Sequence, residues 1–123
     1  MRNFKTLKVW QLGQKVATKV CRLTSTMTGQ EQFVFASQLA RAAILIPGNI
    51  AEGNSRQSRK EYARFIEIAL GSAFELETQL LVLKSIEFAS EDTVTNLIEE
   101  VEEEQRMLSG LLKSLRIPLA PSS

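Results

Sequence analysis

Apolar positions along this chain recur at alternating intervals of three and four residues, in four separate runs. In the first, Val9, Val16 and Leu23 repeat every seven residues and are interleaved with Gly13, Val20 and Met27. The second carries Phe33, Ala36, Ala40 and Ala43, then resumes past Pro47 with Ile50. The third alternates Tyr62, Ala69, Leu76 and Leu83 with Ile66, Ala73 and Leu80. In the fourth, Val94, Val101, Leu108 and Leu115 alternate with Ile98, Gln105 and Leu112. This spacing predicts amphipathic helices whose stripes meet at the shallow crossing angle of a bundle. No stretch shows the two-residue alternation of a strand. The expectation is an all-α protein: an antiparallel up-down-up-down four-helix bundle over residues 1–117, with 118–123 as a disordered tail.

Punctuation between the runs supports that count. Thr28-x-x-Glu31 and Ser58-x-x-Glu61 both have the form of a capping box, in which hydroxyl and carboxylate satisfy orphaned backbone N–H groups. Ser90 followed by Glu91 and Asp92 places acids in a first turn, favourable against the helix dipole. Gly53-Asn54 offers the left-handed conformation that ends a helix cheaply. Pro118 and Pro121 close the fourth run. Pro47 is different, because helical spacing continues on both sides of it. A proline there removes one backbone bond and crowds the preceding turn, at about 3 kcal/mol or more, so a kinked second helix is expected.

Charge divides the chain. Residues 1–64 hold 11 Lys/Arg against 3 Asp/Glu, and residues 65–123 hold 4 against 11, although the net charge is only +1. Lys8, Lys15 and Arg22 lie seven apart with Lys19 beside them, which makes a stripe on the first helix. Arg56, Arg59, Lys60 and Arg64 add to it from the loop and the start of the third helix. A clustered basic surface of this kind attracts RNA or DNA through counterion release, independent of sequence. Two other readings stand beside it: a plain solvated face, or a surface that meets an acidic one. Glu99, Glu100, Glu102, Glu103 and Glu104 on the fourth helix supply such an acidic surface, suited to a contact between subunits.

Several function classes lose their support. The chain has no histidine, which removes the commonest general base and zinc ligand. Gly48 to Gly53 is no phosphate loop, since no Gly-Lys-Ser/Thr follows. The single cysteine, Cys21, reads as a packed or partly exposed helical residue and suits a reducing cytoplasm. No apolar run approaches the roughly 20 residues that span a bilayer, and Met1 to Lys5 lacks a secretory apolar core. The expectation is a cytoplasmic, non-enzymatic protein with no membrane partner, no cofactor and no metal. Around the proline, Arg41, Asn49 and Glu52 form a polar cluster. The structural reading has Asn49 bonding carbonyls freed by Pro47 while Glu52 pairs with Arg41 or Arg56; one carboxylate alone makes a poor metal or hydrolytic site. On the third helix, the small residues Ala69, Gly71, Ser72 and Ala73 allow close helix approach, and Phe74, Leu70 and Leu81 lie off the main seam. The helix is thus apolar over more than one face and is expected to be either central or covered by another subunit.

A family likeness is carried by Phe4 to Gln11, by Gln38 to Ala43 leading into Ile46-Pro47-Gly48-Asn49-Ile50-Ala51-Glu52-Gly53, by Arg56, Ser58 and Glu61 to Phe65, and by Ile68 to Leu76. These segments resemble the four-helix-bundle proteins of ribosomal RNA intervening sequences. That family is related to the accessory variability determinant proteins of diversity-generating retroelements. Leu45 departs from the pattern, which usually has serine there. The resemblance implies rings of five bundles, and either association with structured ribosomal RNA or an adaptor role that holds template RNA against a reverse transcriptase. Two classes follow: a small oligomeric nucleic-acid-binding accessory protein acting through its basic surface, or a non-catalytic homo-oligomeric scaffold with no nucleic-acid role.

Overall fold

The computed structural model describes residues 3–118, the side chain of Glu31 excepted. The expected tail at 118–123 therefore falls, beyond Pro118, outside the described residues. Within them the protein is all-helical. A short 3-10 turn, Phe4–Thr6, precedes α1 (Lys8–Thr24), α2 (Gln30–Asn54), α3 (Arg59–Ser85) and α4 (Glu91–Arg116). Phe4 stands edge-on to Trp10 at 5.2 Å between ring centroids, which pins the turn to α1.

α3 is the spine of the packing, lying against both α2 and α4, while α1 lies against α2 and more lightly against α4. Its stripe of Ile66, Ala69, Ala73, Leu76, Leu80 and Leu83 is wholly inaccessible to solvent. Side-chain pairs show the direction of neighbouring helices. Arg59 at the start of α3 reaches Ser114 near the end of α4, while Gln105 reaches back to Ala73 and Glu77. Gly13 of α1 faces Glu104, and Lys19, further along, faces Glu100. In each pair of helices one residue number rises as the other falls, so α4 runs opposite to both α3 and α1.

The second run is corrected by the structure. Phe33 is 69% exposed, and the core positions of α2 are Leu39, Ala42, Ala43, Ile46 and Ile50. Alanines fit either register, so the larger side chains decide it: each buries more apolar area than Ala36 or Ala40. α2 runs continuously through Pro47. Within Gln32–Asn54 of α2, an 18-residue window reaches a mean hydropathy of 1.3 and is 28% buried, so by length and composition alone the helix could cross a membrane. Core helices of bundles pass the same test, and Arg41 and Glu52 interrupt any unbroken apolar run along it.

Helix ends match the sequence in part. Ser58 and Ser90 cap α3 and α4, accepting hydrogen bonds from the backbone N–H groups of Glu61 (3.0 Å) and Thr93 (3.2 Å). α2 instead starts after Gly29, in the left-handed half of backbone space at φ 93°, and Thr28 is not its cap. At the other end of α2, Gly53 is helical and the following cap, Ser55, is right-handed. Gly53 has another reason to be glycine: a Cβ there would lie 2.7 Å from Phe65 Cβ and 3.1 Å from Tyr62 Cδ1. The chain turns into α3 at a distance only glycine permits. The α3 terminus takes a Schellman form without glycine. Glu87 sits at φ 54°, with Glu87 N–H bonded to the Lys84 carbonyl and Phe88 N–H to that of Leu83.

Glu104 departs furthest from expectation. The sequence places it with an acidic surface, but it is fully buried, and neither carboxyl oxygen has a hydrogen-bond partner. It occupies the seam Leu97, Val101, Glu104, Leu108, spaced four, three and four residues apart. Opposite it, a Cβ on Gly13 would stand 2.6 Å from Glu104 Oε2, so glycine is what leaves room for the carboxyl. Burial pushes its pKa up to about 8, because the charged form is far better solvated by water than by packed side chains.

Two outcomes follow. Since the folded pKa of Glu104 exceeds its unfolded value of 4.5, the native state holds a proton that the unfolded chain releases. Stability then falls as pH rises from 4.5 to 8, at about 1.4 kcal/mol per pH unit. Glu104→Leu should remove this slope and be more stable at pH 7 by about 3 kcal/mol, as read by urea denaturation across pH. Gly53→Ala should destabilise by about 1–3 kcal/mol, because overpacking against Phe65 and Tyr62 outweighs the better helix propensity; a raised melting temperature would refute it.

Candidate nucleic-acid interface

The basic side chains singled out by sequence fall into separate groups once folded. Lys15 and Lys19, one turn apart on α1, both reach Glu100 of α4, at 3.3 and 2.5 Å. Partial burial pushes the Glu100 pKa up, but the hydrogen bonds and charges of Lys19 and Lys15 together outweigh that and hold it below the ordinary value. These two lysines therefore serve the α1–α4 seam before any ligand. Arg59 is also engaged. Its guanidinium donates to the Ser114 carbonyl at 2.6 Å and to that of Ile117 at 3.5 Å, so it caps the end of α4, where free carbonyls and the helix dipole favour a cation.

Arg56 lies over the Phe65 ring at 4.9 Å, a cation–π contact that leaves the arginine exposed. Among the described residues, Lys8, Arg22, Lys60 and Arg64 make no ion pair. Because α4 runs opposite to α3 and α1, the start of α1, the α2–α3 connection, the start of α3 and the end of α4 share one end of the bundle. Lys8, Arg56, Lys60 and Arg64 gather there, joined by Lys5 and Lys113, which composition alone did not single out. The acids at that end are Glu52, Glu61 and Glu67, and Glu67 is bound by Arg116. Arg22, near the end of α1, lies toward the opposite end. Of the stripe expected on α1, Lys8 thus lies at the basic end, Lys15 and Lys19 pair with Glu100, and Arg22 lies toward the other end.

The polar cluster around Pro47 also differs from expectation. Asn49 is buried, and its amide donates to the Leu45 carbonyl at 2.7 Å. Pro47 leaves the Ala43 carbonyl without its usual donor, and Asn49 does not reach that one. Glu52 and Arg41 are both exposed, and among the described residues no ion pair links Glu52 to Arg41 or Arg56. Asn54 is a polar residue the sequence reading missed; buried, it donates to the Tyr62 hydroxyl at 3.1 Å. Among the described residues no three of Cys, Asp and Glu converge as metal ligands. Cys21 is a free, half-buried thiol.

Replacing Glu100 should expose what the seam contributes. Its folded pKa lies below the unfolded value, so its stabilisation is present above pH 4.5 and lost as pH falls through the folded pKa. With both lysines substantially exposed, Glu100→Gln should cost about 1 kcal/mol at pH 7 and less at pH 3. An equal cost at both pH values would assign the effect to packing.

Comparison with known proteins places the chain. Residues 5–110 match the family model of the 23S rRNA-intervening sequence protein. No curated protein matches it. Among solved structures, a protein of unknown function from the S23 ribosomal protein family of Bacteroides thetaiotaomicron superposes with a TM-score of 0.80 at 24% identity, covering 85% of this chain and 98% of that one. That likeness shows the same fold. With the family model spanning most of its length, the chain belongs to the 23S rRNA-intervening sequence protein family.

Proposed function

We propose that this protein is a small homo-oligomeric nucleic-acid-binding accessory protein, with RNA as its first ligand, working through the basic end of the bundle. The observation that carries this reading is the gathering of Lys5, Lys8, Arg56, Lys60 and Lys113 at one end. Exposed cations brought together from four elements give a compact phosphate-binding surface, whose affinity comes from released counterions rather than base contacts. Stacking platforms are sparse there, since Tyr62 is buried and Phe65 already lies beneath Arg56. The ligand is therefore a structured RNA recognised by its backbone, in keeping with the family's link to intervening sequences of 23S rRNA. An adaptor role beside a reverse transcriptase, which the resemblance to retroelement accessory proteins implies, would use the same surface. The protein is non-catalytic on this reading and acts in the cytoplasm.

One observation favours a second reading, a homo-oligomeric scaffold without nucleic acid: the outer faces of α2 and α3 expose Ile44, Ile68, Phe74 and Leu81. Fluorescence anisotropy with an RNA hairpin and a matched DNA duplex, over a salt series, separates the two. An RNA-binding end requires log affinity to fall linearly with log salt, with a slope reporting several phosphates. Lys8→Glu with Lys60→Glu should abolish binding, whereas Lys15→Glu with Lys19→Glu should mainly weaken the fold. Absence of binding at about 50 mM salt, where phosphate contacts are strongest, would leave the scaffold reading standing.

A further inference from the structure

Two adjoining faces of the bundle have no cover within the chain, and they carry the same pattern. On α2, Arg41, Leu45, Gly48 and Glu52 are spaced by four, three and four residues; on α3, Arg64, Ile68, Gly71 and Glu75 repeat that spacing. All eight residues are exposed, and the spacing keeps each set on one helix face. Ile44 flanks the first set, and Phe74, Leu81 and Val82 flank the second, all exposed.

Neither glycine is explained by the chain itself, since a Cβ at Gly48 or Gly71 would meet nothing within 4 Å. Glycine is a poor helix former, and its usual reason inside a helix is another backbone close by. The charges are equally unclaimed. Among the described residues Arg41, Glu52 and Arg64 enter no ion pair, and Glu75 accepts one bond from Gln79 at 3.3 Å.

A four-three-four spacing reads the same in both directions. Run backwards against itself, the pattern sets arginine opposite glutamate and the large apolar residue opposite glycine. We propose that α2 of one copy packs antiparallel on α3 of a second copy. In that register Arg41 faces the partner's Glu75, Glu52 faces the partner's Arg64, Leu45 sits on the partner's Gly71, and the partner's Ile68 sits on Gly48. The proposal rests on the homo-oligomer reading above and is independent of nucleic-acid binding.

The partner's α3 is favoured over its α2 because one α2–α3 contact covers both bare faces. Pairing α2 with α2 leaves α3 needing a separate interface, whereas repeating a single head-to-tail contact closes a ring. A lipid surface is disfavoured because each apolar centre is bracketed by a cation and an anion, which hydrocarbon penalises and an opposed copy neutralises.

The test is sedimentation equilibrium without nucleic acid, on the full chain. Arg41→Glu should weaken association by about tenfold or more, and Arg41→Glu with Glu75→Arg should restore it to within about threefold. Gly71→Leu should also break the assembly while its circular dichroism and melting stay native, since nothing in its own chain opposes the larger side chain. An Arg41→Glu, Glu75→Arg variant as weak as the single change overturns the register. Restoration by Glu52→Arg in its place overturns it in favour of α2 on α2. A wild-type chain still monomeric at about 100 µM, a concentration that populates even weak contacts, defeats the homo-oligomer reading itself.

Discussion

Every other element depends on the burial of one stripe along α3. Ile66, Ala69, Ala73, Leu76, Leu80 and Leu83 are removed from water completely, and α2 and α4 are both packed on them. Burying a large aliphatic side chain contributes about 1.5–3 kcal/mol, so the three leucines and the isoleucine anchor the neighbours. The alanines between them let the helices come near. α1 completes the bundle from the far side, held to α2 through the core and to α4 through a lighter seam.

That lighter seam is where electrostatics is concentrated. Glu100 and Glu104 lie one turn apart on the same side of α4, yet they experience opposite environments. Glu100 reaches the rim and is held charged by Lys15 and Lys19. Glu104, buried opposite Gly13 with no hydrogen-bond partner for either carboxyl oxygen, holds its proton. Neutral burial of an acid without a partner works against stability, while the rim ion pairs act the other way. The strength of the seam joining the first helix to the last therefore depends on pH.

The roles we propose rest on surfaces that the core leaves free. The basic end collects cations from the start of α1, the α2–α3 connection, the start of α3 and the end of α4. The outer sides of α2 and α3 show apolar residues and unexplained glycines. The phosphate-binding end and the self-association through the flanks that we propose are compatible, because assembly through the flanks would set several basic ends side by side. Charge collected in that way strengthens electrostatic attraction without new base contacts.

Much of the architecture could be read from residues alone. The third and fourth runs place Tyr62, Ile66, Ala73, Leu80, Val94 and Leu108 in the core, where they lie, because large apolar residues at helical spacing admit one register. Ser58 and Ser90 were legible as caps because capping is a local interaction. The family likeness was legible too, in the segment around Pro47-Gly48-Asn49. Tertiary structure decided what depends on neighbours distant in sequence. It chose the α2 register where alanines were ambiguous, and set Gly53 against Tyr62 and Phe65 rather than at a left-handed turn. Glu104 went inside opposite Gly13, while Arg59, Lys15 and Lys19 were turned from a basic surface to internal partners. Periodicity reports which side of a helix is apolar. Which charged group finds a partner depends on what the fold brings opposite it, and only the packed chain supplies that.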